Sequence, residues 1–373
     1  MRIRPFDADD VRDVASLWQY WFRDKTREPA PDLVALARRI YVERPGGDPE
    51  IPSLVAEDEQ GRMLGFLGVT ATPVLVDGQP GTLAGVFPSV VAPEAPTTVA
   101  SFLLRKFLAG PQALTLSDGG HVVFERIWQL LGGGIAPTAS LRWIKAFRPA
   151  RIGLGVALRG RRSGTMLGTL ASTLASPLAT GADAIARTAG GGWFRGPGAS
   201  DAYRSEPLTP ADFIAAIESV HARTRLRPRY GEDYLAWLFA QMASIRDQGV
   251  FEPTLVTTSA GDVAGWWIGY LRPGRTSRVF ALDGADRHLG GVVDQLFARA
   301  DEAGVGALVG RLEPRLRAPL ATRGTLVHNG GSLQMVHASD PTLRDDALLG
   351  RLAFSRLEGE NWYWWAITSQ FES

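Results

Sequence analysis

Two hydrophobic spacings alternate along the chain, and the same succession of them occurs twice. Met1–Phe6 sets basic and apolar residues alternately, the period of a strand. Behind Asp7, residues Val11, Val14, Leu17, Trp18 and Trp21 fall at helical spacing, which predicts an N-capped helix with an acidic first turn. A shorter helix is expected over Leu33–Val42, ahead of the loop ERPGGDPEIP. Strands follow, with turns at Glu59–Arg62 and at Asp77–Gly78, where Asp-Gly between apolar runs signals a hairpin. GTLAGVFPSVVAP continues as a strand, Thr97–Ala109 as a helix, ALTLSD as a strand, His121–Leu131 as a helix and SLRWIKAFRP as a closing strand. From Ser205 the order begins again. A short strand leads to a helix with Thr209 as N-cap and Pro210 at its first position, then to the helix RYGEDYLAWLFAQMASIRDQG. Three strands, the helix HLGGVVDQLFARADEAG, the strand ALVGRLEP and the helical stretch PRLRAPLATRG come next. TLVHNGGSLQMVHASD reads as a hairpin turning at Asn329–Gly331, and the aromatic end FSRLEGENWYWWAI as a strand.

Composition narrows the class. A length of 373 residues suits two domains of about 150–200. A hydrophobic content of 45% with 21% charged residues fits a globular protein with a substantial core. The net charge of +1 gives no overall field to recruit nucleic acid. Of the 40 basic residues only Lys25, Lys106 and Lys145 are lysine, a bias that suggests a GC-rich bacterial genome. With no cysteine, disulfides, thiolate metal sites and cysteine nucleophiles are excluded. MRIRPFDADD has no apolar signal-peptide core, so the expected compartment is the cytoplasm. Residues 151–204 form a Gly/Ala/Ser/Thr-rich stretch with Met166, Leu170, Leu174 and Leu178 four apart, expected as a partly helical connector. A membrane-surface segment with Arg159, Arg161 and Arg162 at the headgroups is weaker, because large apolar residues are few and Pro177 interrupts.

Ser89–Pro111 holds a short apolar strand, a Pro-bounded turn and an amphipathic helix, and the layout returns at Ser277–Ala303. Together with strings such as IRPFDADDVRDVASLW, LLRKFLAGPQALTLSDGG, ERIWQLLGG, SLRWIKAFRPAR, GRLEPRL, LVHNGG and FSRLEGENWYW, the chain resembles a tandem GNAT N-acyltransferase from a bacterial group. The resemblance implies an α/β (α+β) fold of two GNAT-like domains, each a mixed, mostly antiparallel twisted sheet flanked by helices. They would occupy residues 1–150 and 205–373, joined by the connector. It implies acetyl-CoA or another acyl-CoA as co-substrate and a small-molecule amine as acceptor, with no nucleic acid, no membrane span, and a monomer or homodimer. Two other uses of the scaffold stay open: a catalytically inactive module that binds a ligand or a protein, and a Fem-like aminoacyl transferase.

In such domains a Q/R-x-x-G-x-G/A turn lets helix-start amides meet a pyrophosphate. The first copy reads APTTVA over Ala95–Ala100, without glycine or a basic residue. The strand residues Val90 and Val91, the Thr97 and Thr98 hydroxyls and the amides of Thr98, Val99 and Ala100 remain as cofactor candidates, beside simple capping of the helix by a threonine. The second copy keeps an arginine and the first glycine, so Arg287, Leu289, Gly290 and Gly291 are candidates, beside close packing at the two glycines. The tyrosine that often serves as acid after the fifth strand is missing from both copies.

For amine acetylation the first copy offers Asp118, His121 and Glu125 at the strand end and the next helix: a carboxylate or N-cap, a general base, and a residue to orient it. Arg311, Glu313, Arg315 and Arg317 in the second copy read as a surface ion-pair network or an anion site, with Glu313 held ionised. His328 and His337 have no third partner for a metal. Trp266/Trp267 and Trp364/Trp365 are adjacent pairs. On strands they point to opposite faces, so one of each is expected at a cleft or interface.

Overall fold

The computed structural model describes the chain apart from residues 27, 120–121, 151, 153–179, 191, 199, 330–332, 359–360 and 369–373. Most of the connector, and with it the question of a membrane-surface segment, lies outside the described residues. The chain divides into two compact units. The first takes Met1–Ser140, His221–Asp247 and Gly330–Ser373; the second takes Leu141–Val220 and Gln248–Asn329. Neither unit is one continuous half of the sequence.

The first unit's sheet runs β1 (Arg2–Pro5), β2 (Leu54–Glu57), β3 (Met63–Val76), β4 (Gln79–Val91), β5 (Leu114–Ser117), β15 (Gln334–His337) and β6 (Gly134–Ala136). A short strand β9 (Leu226–Pro228) pairs with the far end of β3. The second unit's sheet, read in the corresponding direction, runs β8 (Tyr203–Pro207), β10 (Val250–Thr258), β11 (Val263–Leu271), β12 (Thr276–Gly284), β13 (Ala307–Arg311), β7 (Leu141–Ala146) and β14 (Leu326–Asn329). The two orders correspond strand for strand. The sixth place in each is filled by a strand from the other half of the sequence, β15 in the first and β7 in the second. This overturns the hairpin expected at Asn329–Gly331: β14 bonds to β7, whereas β15 bonds to β5 and β6.

Local chemistry explains several elements. Asp7 closes a capping box with Asp10, and the helix Val11–Trp18 follows. Pro31 opens the helix Pro31–Tyr41. Asp77 and Gly78 both take positive φ, at 51° and 80°, as the two-residue hairpin between β3 and β4 requires. Asp340 accepts from the Thr342 amide at 2.8 Å and Pro341 starts the helix Pro341–Leu348, a signal the hydrophobic pattern did not bring out. The aromatic end is also a correction. Asn361–Thr368 is a helix, with Trp362, Tyr363 and Ile367 buried, so Trp364 and Trp365 do not alternate across a strand.

Each unit buries its own core. In the first, Leu67, Val69, Ala84 and Val86 pack on Leu103, Leu104 and Phe107 of the helix Thr98–Leu108. In the second, Trp267, Leu282 and Leu308 pack on Val292, Val293, Leu296 and Phe297 of the helix Leu289–Glu302. Trp266 lies outside that cluster and meets Phe213, from the helix Pro210–His221, edge-on at 5.5 Å. Both tryptophans of the pair are buried, and neither marks an open cleft. No helix among the described residues is long and apolar enough to cross a membrane.

Candidate functional site

In each unit one pair of neighbouring strands is parallel and soon separates. β4 pairs with β5 only at Leu83–Gly85 against Leu114–Leu116, and β12 pairs with β13 only at Thr276–Arg278 against Ala307–Val309. The cause is a bulge. Between Leu67 and Val69 the partner register moves from Ser89 to Val86, which places an extra residue in β4 at Phe87–Pro88. Between Ile268 and Gly269 it moves from Ala281 to Val279, an extra residue at Phe280. An extra residue bends the bulged strand away from its neighbour. Beyond the last paired residue, Gly85, the Ser117 hydroxyl still reaches the Val86 carbonyl at 3.1 Å. Past Gly85, β4 runs on to Val91 without ladder pairing to β5, an edge of roughly 20 Å at about 3.3 Å per residue, here called the slot.

One end of the first unit's slot meets the start of the helix Thr98–Leu108. Thr97 and Thr98 are exposed, and Thr97 makes no capping bond with its side chain. The Val99 amide donates to the Pro96 carbonyl at 3.0 Å, so it turns inward. Ala92 donates to Leu64 across β3, so by strand alternation the Val91 carbonyl faces the slot. There it accepts a 2.7 Å hydrogen bond from the Trp21 indole. Trp21 belongs to a six-residue π-helical segment, Gln19–Asp24, which ends at Lys25 in the left-handed region. The same segment lays Phe22 against Phe87 and Trp364, at 6.2 and 5.3 Å between ring centres. An aromatic lip thus lies over the bulge, with Trp364 partly exposed.

The slot's other end is polar and buried. Asp118, just past β5, accepts from the Gln334 amide at 3.3 Å. Glu358 lies on the same face of β4 as Thr70, and a Cβ on Gly85 would come within 2.5 Å of the Glu358 carbonyl oxygen. Its carboxyl accepts from the Tyr230 hydroxyl and from the Ser355 amide and hydroxyl. Burial first, and the nearby Asp118 carboxylate as a smaller cause, push the Glu358 carboxyl up to about 7 despite those donors.

Of the residues expected to carry chemistry, Asp118 is therefore at the slot. His121 lies outside the described residues. Glu125 is part-buried on the helix Val122–Leu130 and has no bonded partner among the described residues. Glu358 and Tyr230 escaped the sequence reading. They are 128 residues apart, and although Glu358 falls within the string FSRLEGENWYW, nothing in that string pairs it with Tyr230.

The second unit's slot is differently furnished. Arg315 reaches Asp283 at 2.7 Å, Asp286 at 2.9 Å and the Gly284 carbonyl, spanning the end of β12. Arg311 pairs with Glu313 at 2.9 Å, and burial pushes the Glu313 carboxyl up although arginines flank it. The surface network is corrected in one respect: Arg311 is buried, while Glu313 is half-buried beside it. At the helix start Leu289 is buried in the core, and Arg287 donates to the His288 ring. A Cβ on Gly291 would lie 2.3 Å from the Tyr203 ring, and one on Gly290 3.0 Å from the Arg323 guanidinium. Both glycines admit side chains to close packing.

No family model matches the chain, and no curated protein matches its sequence. Solved structures do. A GCN5-related N-acetyltransferase from Anabaena variabilis aligns with a TM-score of 0.57 at 11% identity, over 90% of this chain and 72% of its own. An Enterococcus faecalis protein described as a probable N-acyltransferase gives 0.55 at 12%, over 90% and 72%. Saccharomyces cerevisiae N-myristoyltransferase, solved with myristoyl-CoA and inhibitors, gives 0.53 at 10%, over 90% and 79%. At these identities the likeness is one of fold. The protein has a tandem GNAT-like fold.

Proposed function

We propose that this protein is an acyl-CoA-dependent N-acyltransferase working through the slot of its first unit, moving an acetyl or other acyl group to the amine of a small molecule. The observation that carries this reading is the slot itself. Parallel strands part beside an exposed helix start at one end, and two buried carboxyls stand at the other.

The exposed helix start suits the pyrophosphate, with the Thr97 and Thr98 hydroxyls and the Thr98 and Ala100 amides as donors. The pantetheine arm would follow Val90–Val91. Asp118 takes a proton from the acceptor amine, whose lone pair adds to the thioester carbonyl carbon. The C–S bond then breaks and the sulfur leaves as thiolate, reprotonated to free CoA. Glu358, titrating near neutrality behind Asp118, accepts and returns that proton. The lip of Phe22, Phe87 and Trp364 favours an acceptor with an apolar body. Gly290 and Gly291 are engaged in packing, so the second unit serves as support.

A non-catalytic ligand-binding module has one observation in its favour. Trp21 already occupies the Val91 carbonyl that a pantetheine amide would use. Calorimetric titration of CoA into the wild type and Trp21→Phe tests both readings. The phenyl ring keeps most of the packing but frees the carbonyl. CoA is expected to bind the wild type, and the variant about five-fold more tightly, the worth of one hydrogen bond of about 1 kcal/mol. Absence of CoA binding by both proteins would remove the acyl-CoA reading.

A further inference from the structure

The second unit contains a cavity of about 440 Å³ away from its slot, within the range of small-molecule sites. Its lining includes Lys145, Trp193, Arg195, Asp294, Phe297 and Arg323. Lys145 stands on β7 with only 1% of its surface exposed. Its ammonium donates to the carbonyls of Trp193 at 2.7 Å and Arg323 at 2.8 Å. The third N–H reaches only Gly192, at 3.5 Å, the limit of a hydrogen bond. Among the described residues no carboxylate forms an ion pair with it. Asp301 is the nearby acid, and it is bonded to Arg187 at 2.7 Å and to the Gly196 amide at 2.9 Å. Burial without a paired anion lowers the Lys145 ammonium to about 8.

The other charges lining the cavity are unequal. Arg323 is held by Asp294 through two 2.7 Å bonds, so that pair is neutral. Arg195 is exposed, and its guanidinium has no bonded partner among the described residues. The cavity therefore carries a buried ammonium on its floor and a guanidinium at its lip, with Trp193 and Phe297 between as apolar wall. A buried charge is costly unless it is paired. This one has carbonyl acceptors and the rings of Phe147 and Phe297 at 5.8 and 5.6 Å, but no carboxylate ion pair among the described residues.

The geometry points to a binding site for a small organic anion, an oxyanion head on an apolar body, with the head displacing the long Gly192 contact on the third Lys145 N–H and meeting Arg195. This site is separate from the acyl-transfer slot and does not depend on that reading. The alternative is that Lys145 only pins the segments around Trp193 and Arg323.

The test is calorimetry with benzoate and, as its neutral counterpart of the same shape, benzamide. Benzoate is expected to bind the wild type and benzamide not to. Arg195→Ala, a change at the exposed lip that leaves the Lys145 contacts intact, is expected to weaken benzoate about ten-fold, the scale of one charge-assisted bond. Lys145→Met is expected to abolish binding. Should that variant fail to fold, Arg195→Ala and the benzamide comparison still decide. No benzoate binding by the wild type up to about 10 mM, equal binding of benzamide, or undiminished binding by Arg195→Ala would overturn the assignment.

Discussion

Asparagine in place of Asp118 is expected to lower kcat by roughly 100-fold or more, while CoA affinity stays within about two-fold of wild type. The substitution keeps shape and removes only the ability to take a proton. Asp118 is buried and accepts from Gln334, whose own carbonyl oxygen is buried without a hydrogen-bond partner. An asparagine amide can donate to that oxygen, so the local packing has a ready replacement contact. The helix start assigned to the pyrophosphate belongs to a different element. A loss confined to kcat therefore marks Asp118 as the base. A variant with unchanged kcat would mean that Asp118 is structural and that another group takes the proton.

The second large effect is on stability. The Glu358 carboxyl is raised from its ordinary 4.5 to about 7, so between those values the folded protein binds a proton that the unfolded chain releases. Stability attached to this group is fully present below about 4.5 and is lost as the pH rises through about 7. A shift of this size corresponds to something on the order of 3 kcal/mol. Glu358→Gln mimics the protonated form. Its carbonyl can accept from Ser355, and its amide can donate to the Tyr230 oxygen. Denaturant midpoints compared between pH 4.5 and pH 8 should therefore fall for the wild type relative to the variant as the pH rises, with the variant the more stable at pH 8. Asp10, Asp32 and Asp301, held below their ordinary values, act in the opposite sense and at more acid pH, and they are common to both proteins. Parallel profiles for the two proteins would show that Glu358 is not the buried neutral acid described here.

The parts of this fold that were legible in the sequence are those set by neighbours along the chain. Asp7 caps the first helix and Asp77–Gly78 turns the long hairpin because each acts within four residues of itself. The strand–turn–helix units at Ser89–Pro111 and Ser277–Ala303 were visible for the same reason. The failures have one physical source, partners remote in sequence. LVHNGGSLQMVH looks like a hairpin, yet its two strands bond to different sheets. NWYWWAIT has the β-favouring aromatics of a strand, yet it is a helix whose Trp362 meets Trp237 at 6.0 Å. One of Trp266 and Trp267 was expected at a cleft or interface; both are buried, with Phe213 edge-on to Trp266. At the slot, Asp118 could be found from its place after a strand. Glu358 could not, because its raised carboxyl comes first from burial, with Asp118 as a smaller cause, and its hydroxyl partner Tyr230 lies 128 residues away. The glycines of the second turn matched a phosphate motif in letters, but Tyr203 and Arg323 take the space that the missing side chains leave.

The most direct test of the acyltransferase account is release of free thiol from acetyl-CoA, with and without a mixture of primary amines, by the wild type, Thr98→Glu and Gly290→Glu. A carboxylate at a helix start is compatible with the helix dipole, so Thr98→Glu should fold and repel only the pyrophosphate. Amine-dependent release that survives in Gly290→Glu and is lost in Thr98→Glu is the predicted result. Release lost only in Gly290→Glu, or no amine-dependent release by the wild type, would contradict it.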